Sequence, residues 1–208
     1  MTIGAATRTP RLPARPPLVV VGASAGGPAA LAELLKGLSA RFSAAVVIVQ
    51  HVDDRFVEGL ALWLAEQSGL PVRLALEGDR PEAGVVLLAG PGGHLIVRPD
   101  GRLGYVSEPR HHAYRPSVDV LFQSACDHWP ARVAGIVLTG MGADGAAGLK
   151  ALRLKGALTI AQDQATSAVY GMPKAAAVAG AAVDILPLNR IAPRLIAVFP
   201  NIAEGDVQ

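Results

Sequence analysis

Short runs of aliphatic and β-branched residues, each followed by a segment with helical spacing, are what most constrain this chain. Leu18–Gly22 (LVVVG) reads as a buried strand closed by a glycine. The spacing over 28–38 (PAALAELLKGL) predicts a helix, with Pro28 suited to its first turn. Ala45–Gln50 (AVVIVQ) predicts a second buried strand, 54–68 a helix and 71–76 (PVRLAL) a third strand. Further along, Arg132–Thr139 (RVAGIVLT), Leu158–Ala161 and 183–186 read as strands, alternating with helices over 144–155, 170–179 and 189–199. Such continuous apolar runs are what strands buried on both faces require. The alternation predicts an α/β fold: a mostly parallel sheet with helices on both faces. The middle differs. Gly84–Ala89 reads as a strand, and His94–Arg98 and Arg102–Val106 flank Pro99-Asp100-Gly101, the signal of a short antiparallel hairpin. A polar loop over 107–116 leads into a helix over Ser117–His128. No repeat or linker breaks the pattern, so residues 17–200 are expected to form a single domain. Residues 1–16 are expected to be a disordered leader, and 201–208 a tail.

Composition narrows the function classes. Of 208 residues, 51% are apolar and the net charge is +2, which argues against intrinsic disorder. Basic residues are spread along the chain, so nucleic-acid binding has no support. A lone cysteine, Cys126, cannot form an internal disulfide, and it reads as a small core residue in an intracellular protein. Arg8, Arg11 and Arg15 stand near the start with no acid among them, but the next apolar stretch, Leu18–Val21, is shorter than the roughly 7–15 residues a secretory signal needs. No run approaches the roughly 20 apolar residues of a membrane span. The expectation is a cytoplasmic protein without membrane insertion.

Three polar residues follow strand ends. Ser24 lies in Gly22-Ala23-Ser24-Ala25-Gly26-Gly27, His51 directly follows the second strand, and Asp144 lies in Gly140-Met141-Gly142-Ala143-Asp144-Gly145. In open α/β sheets, sites form outside the carboxyl ends of strands, so distant residues meet there. A serine hydroxyl needs a base, imidazole titrates near neutrality, and a carboxylate fixes the imidazole tautomer. Each residue also has a plainer reading. The glycine-rich turn could be a phosphate site, although it lacks dinucleotide-loop spacing and a P-loop Lys-Ser/Thr. His51 could bond backbone at a strand end, and Asp144 could cap the following helix. His94, His111, His112 and His128 lack zinc-site spacing, so neither a metal nor another cofactor is expected. Trp63 and Trp129 read as packing residues.

The segments VVVGASAGGPAAL, VIVQHV, YRPSVDVLFQSA, GIVLTGMGADGAAGLKAL and TIAQDQATSAVYGMPKAA, from Val19 to Ala177, together resemble the catalytic domain of CheB-type chemotaxis receptor methylesterases. The resemblance implies a doubly wound α/β fold with a short hairpin. It implies Ser24 as nucleophile, His51 as general base and Asp144 as orienting carboxylate. It further implies that the Met141 amide helps bind the oxyanion, with the Ala25 amide a second donor by position, and that Arg115 borders the substrate cleft. The structural alternative for Arg115 is an ion pair with a nearby carboxylate. The implied substrate is a γ-glutamyl methyl ester on the cytoplasmic helices of a methylated chemoreceptor, with deamidation of receptor glutamines as a second activity. Members often have Thr after the serine. Ala25 here keeps the backbone donor and loses a hydroxyl. Typical members also carry an N-terminal receiver domain, for which residues 1–17 are too few, so the expectation is a catalytic domain without it, unregulated or controlled by a separate response regulator. Two other readings stand beside this one: a non-catalytic receptor- or phosphate-binding module of the same fold, and a small-ester hydrolase.

Overall fold

A computed structural model describes residues 15–110 and 112–202. Most of the expected leader and tail, and His111, lie outside the described residues. Arg15 and Pro16 are described: Arg15 Nη1 donates to the Gly101 carbonyl (2.7 Å), and Trp129 Nε1 donates to the Pro16 carbonyl (3.1 Å).

The elements are β1 (Leu18–Ala23), α1 (Gly27–Lys36), β2 (Ala45–Gln50), a 3₁₀ turn (Asp54–Phe56), α2 (Val57–Ser68), β3 (Val72–Leu74), β4 (Val86–Leu88), β5 (His94–Val97) and β6 (Leu103–Val106). There follow α3 (Val118–His128), β7 (Val133–Val137), α4 (Ala146–Leu154), β8 (Leu158–Gln162), α5 (Met172–Val178), β9 (Asp184–Leu186) and α6 (Leu188–Val198). Seven strands form one sheet in the order β3-β4-β2-β1-β7-β8-β9, with every pairing parallel. β5 and β6 pair antiparallel in a separate two-stranded sheet, with Gly101 at φ 72 in the turn. The expected α/β architecture with a hairpin is what the chain adopts.

The period-2 geometry of a strand explains the double core. Val19, Val21 and Ala23 of β1 face one core with Leu31 and Leu34 of α1, Leu60 and Leu64 of α2, and Ile191 and Leu195 of α6. Leu18 and Val20 face the other, with Leu121 and Phe122 of α3, Leu149 of α4, Met172 of α5 and the hairpin residues Leu95 and Leu103. All six residues of β1 are buried, as an apolar run without alternation requires. Of the two tryptophans read as packing residues, Trp129 is buried, whereas Trp63 on α2 keeps 39% of its surface exposed.

β1 is the switch in strand order. The chain first winds to β2 on one side, then returns to lay β7 on the other. The crevice outside the carboxyl end of β1 is therefore flanked by the segments after β2 and β7. Gly22 lets α3 approach that end: a Cβ on it would stand 2.2 Å from Val118 Cγ1.

Candidate active site

The turn after β1 is closed by backbone bonds. Ser24 N–H donates to the Thr139 carbonyl (3.0 Å) and the Gly27 N–H donates back to the Ser24 carbonyl (2.8 Å). Gly26 takes φ 76, a conformation open to glycine at little cost, and so turns the chain into α1. The β1–β2 ladder ends at the rung Ala23–Gln50. His51 N–H then donates to the Ala23 carbonyl (3.0 Å), which sets Ser24 and His51 side by side at the sheet edge.

His51 Nε2 and Asp144 Oδ2 are 2.9 Å apart, and each side chain is only 7% exposed. An ionised carboxylate can only accept, so Nε2 carries the proton and Nδ1 keeps its lone pair. Nδ1 is buried and has no hydrogen-bond partner. The Ser24 hydroxyl likewise has no partner among the described residues. The free lone pair of the imidazole therefore faces away from Asp144. Tyr114 stacks on the imidazole with ring centres 4.1 Å apart and planes 9° apart.

Asp144 is held by more than His51. Its Oδ1 accepts from Ser117 Oγ (2.8 Å) and Asp119 N–H (2.9 Å), and its Oδ2 also accepts from Val118 N–H (2.8 Å). Burial pushes the carboxyl upward, but the bonds from His51, the two amides and Ser117 outweigh it and hold it below the ordinary 3.8. The expected capping of the following helix is corrected here. The N-cap of α4 is Gly145, with no side-chain cap, and Asp144 instead serves the N-terminus of α3. That helix comes to Asp144 through the tertiary fold, which local reading does not reveal.

Gly140 admits the Gly-Met-Gly segment to the serine: a Cβ on Gly140 would lie 2.8 Å from Ser24 Cβ. Met141 follows it with its side chain 63% exposed. The amides of Ala25 and Met141 donate no hydrogen bond among the described residues. Arg115 is exposed and forms no ion pair among the described residues, so the ion-pair alternative finds no partner there. Cys126, on α3, is half-buried, and burial pushes its thiol upward. Among the described residues no group of three or more His, Cys, Asp or Glu side chains is arranged to hold a metal ion.

Sequence reading missed Gln50, Tyr114 and Ser117. Gln50 Nε2 donates to the carbonyls of Ser24 (2.8 Å) and His51 (2.9 Å). Its signal was a polar residue closing an apolar strand. Ser117 was legible only as the start of a helix, and Tyr114 only as an aromatic in a polar loop.

A doubly wound α/β sheet with a Ser–His–Asp set at the carboxyl end of its switch strand defines the class of this molecule. The chain belongs to the CheB methylesterase family, whose model matches residues 19–195. It is 63% identical over 182 residues to "Protein-glutamate methylesterase/protein-glutamine glutaminase 1" of Bordetella avium (strain 197N), which covers 88% of this chain and 53% of that protein. It is 60% identical over 194 residues to the correspondingly named protein 2 of Cupriavidus metallidurans, which covers 93% of this chain and 56% of that one. This chain thus spans about half the length of the curated relatives it matches. The crystal structure of the Thermotoga maritima CheB methylesterase catalytic domain superposes with a TM-score of 0.83 at 32% identity, covering 89% of this chain and 99% of that one. No helix among the described residues is long and apolar enough to cross a membrane.

Proposed function

We propose that this chain hydrolyses γ-glutamyl methyl esters on the cytoplasmic helices of chemoreceptors, with Ser24, His51 and Asp144 as its catalytic triad. The observation that carries the proposal is the buried His51–Asp144 pair, whose free Nδ1 lies at the same sheet edge as Ser24. Ser24 Oγ attacks the ester carbonyl while His51 Nδ1 takes the hydroxyl proton. The tetrahedral oxyanion is bound by the free amides of Ala25 and Met141. The imidazolium returns the proton to the departing methoxide, which leaves as methanol. Water, deprotonated by the same nitrogen, then cleaves the acyl-enzyme to glutamate and restores Ser24. Asp144 stabilises the transient imidazolium without taking its proton.

Arg115, exposed and next to Tyr114 in the same loop, borders the substrate cleft. Deamidation of receptor glutamines proceeds by the same steps, with ammonia as the leaving group. The relatives' names, which pair methylesterase with glutaminase, support that second activity. The chain works in the cytoplasm, with the methylated helices of a chemoreceptor as its partner.

The test is methanol release from a methylated chemoreceptor fragment, with wild type compared to Ser24→Ala. Release is expected from wild type and a loss on the order of 10⁴–10⁶ in the variant. Equal release by both proteins would remove Ser24 from the mechanism. Release by neither would turn the search to other esters or to a binding role.

A further inference from the structure

Gln50 closes β2 and is 3% exposed. Its Nε2 donates to the carbonyls of Ser24 (2.8 Å) and His51 (2.9 Å). Both carbonyls lie just past the last rung of the β1–β2 ladder, where parallel-strand donors run out. One side-chain amide therefore bridges the backbones from which the nucleophile and the base project. The opposite orientation would set Oε1 against two carbonyl oxygens, so the amide has one workable pose. Oε1 has no hydrogen-bond partner, and it is lodged where a Cβ on Gly27 would come within 1.9 Å of it. The Ser24 carbonyl already accepts from Gly27 N–H, so satisfying that acceptor does not by itself require Gln50.

We infer that Gln50 is a positioning residue, a side-chain bridge past the end of the sheet that fixes the separation of Ser24 and His51. Gln162 provides an internal comparison. It closes β8 and likewise bonds backbone beyond its strand, accepting from Thr139 N–H (2.8 Å) and donating to the Thr166 carbonyl (2.8 Å), but it contacts no triad residue. Of these two strand-end glutamines, only Gln50 joins two triad members directly. The inference rests on the esterase reading of the triad, and it is tested first by a reaction that needs no ester substrate.

The measurement is the rate at which a fluorophosphonate labels Ser24, read by mass spectrometry, in wild type, Gln50→Met and Gly27→Ala. Methionine keeps the length of glutamine and has no donor. Alanine at position 27 leaves the Gln50 amide in the chain but pushes it from its seat, and because the new Cβ also comes within 2.9 Å of Ala23 Cβ, Gln50→Met is the variant that carries the comparison. A misplacement on the order of 1 Å costs about 100-fold in rate, and that is the slowing expected in both variants. With methylated receptor fragment, kcat should fall by a similar factor while KM stays within about twofold. Circular dichroism identifies which variants are folded. Labelling of a folded variant at the wild-type rate overturns the inference, as does a loss carried entirely by KM. Wild type that is labelled but releases no methanol would refute the ester substrate and leave the Gln50 comparison valid. Wild type that is not labelled would overturn both.

Discussion

Asp144 accepts four hydrogen bonds on two oxygens, from His51 Nε2, Ser117 Oγ and the amides of Val118 and Asp119. Only a carboxylate can do so, because an amide would turn its NH₂ toward at least one donor. Asp144→Asn is therefore expected to fold, to lose about 1–3 kcal/mol of stability and to lose about 10⁴ in kcat through the wrong imidazole tautomer. Urea unfolding and methanol release check the two effects separately. Full activity in that variant would leave Asp144 only its role at α3. Tyr114 offers a second residue-scale test. Its ring covers one face of the His51 imidazole, and the stacked contact needs an aromatic face, not a hydroxyl. Tyr114→Phe should match wild type, while Tyr114→Leu should lower kcat about 10-fold, of the order of the roughly 0.5–1.5 kcal/mol such pairs supply. Equal losses in both would assign the effect to the hydroxyl. Ser24 and His51 were legible in the sequence because each directly follows a run that can only be a buried strand. The contacts of Asp144 and Tyr114 were not, because their partners lie far along the chain.

α3 is the element that binds the site to the scaffold. Its N-cap, Ser117, is fully buried, accepts from Val120 N–H (3.4 Å) and donates its hydroxyl proton to Asp144 Oδ1 (2.8 Å). The two N–H groups that follow also point at that carboxylate, which sits where the helix dipole favours negative charge. Ser117→Ala should cost about 1–2 kcal/mol, the range of a lost N-cap, and should lower kcat because Asp144 loses one of its anchors. Thermal unfolding together with steady-state kinetics checks this, and a stability loss with unchanged kcat would separate the cap from the chemistry. At this scale the sequence was most legible. The helix expected over Ser117–His128 is α3 with Ser117 as its cap, and the strands expected from apolar runs are β1, β2, β7 and β8 within a residue or two of their ends. Strand order was not legible. Periodicity records which side chains are buried, not which strand lies beside which, so the pairing of β1 with both β2 and β7 had to come from the fold.

Across the whole molecule, the hairpin, the polar loop and α3 meet at one buried histidine. His94 on β5 is 0% exposed, accepts the Ser117 N–H at Nδ1 (3.0 Å) and donates from Nε2 to the Pro109 carbonyl (3.1 Å). That pattern requires the neutral ring, and burial holds its pKa below the ordinary 6.5. The sign follows from linkage. As pH falls below 6.5, the unfolded chain takes up a proton that the folded chain refuses, so His94 costs stability until the pH passes its folded pKa. Asp144, held below 3.8, acts in the same direction at lower pH. Asp119 opposes them: burial raises its carboxyl, so the folded chain takes that proton first. Between about pH 7 and 5 the urea midpoint of wild type should therefore fall, with His94 contributing at most about 1.4 kcal/mol per pH unit, the slope of one proton. His94→Asn keeps an acceptor for the Ser117 amide but cannot titrate, so its midpoint should vary less over the same range. Because Ser117 joins His94 to Asp144, the acid side of the activity profile should shift in that variant as well. An unchanged slope in His94→Asn would remove His94 from the acid sensitivity and separate the hairpin from the electrostatics of the site.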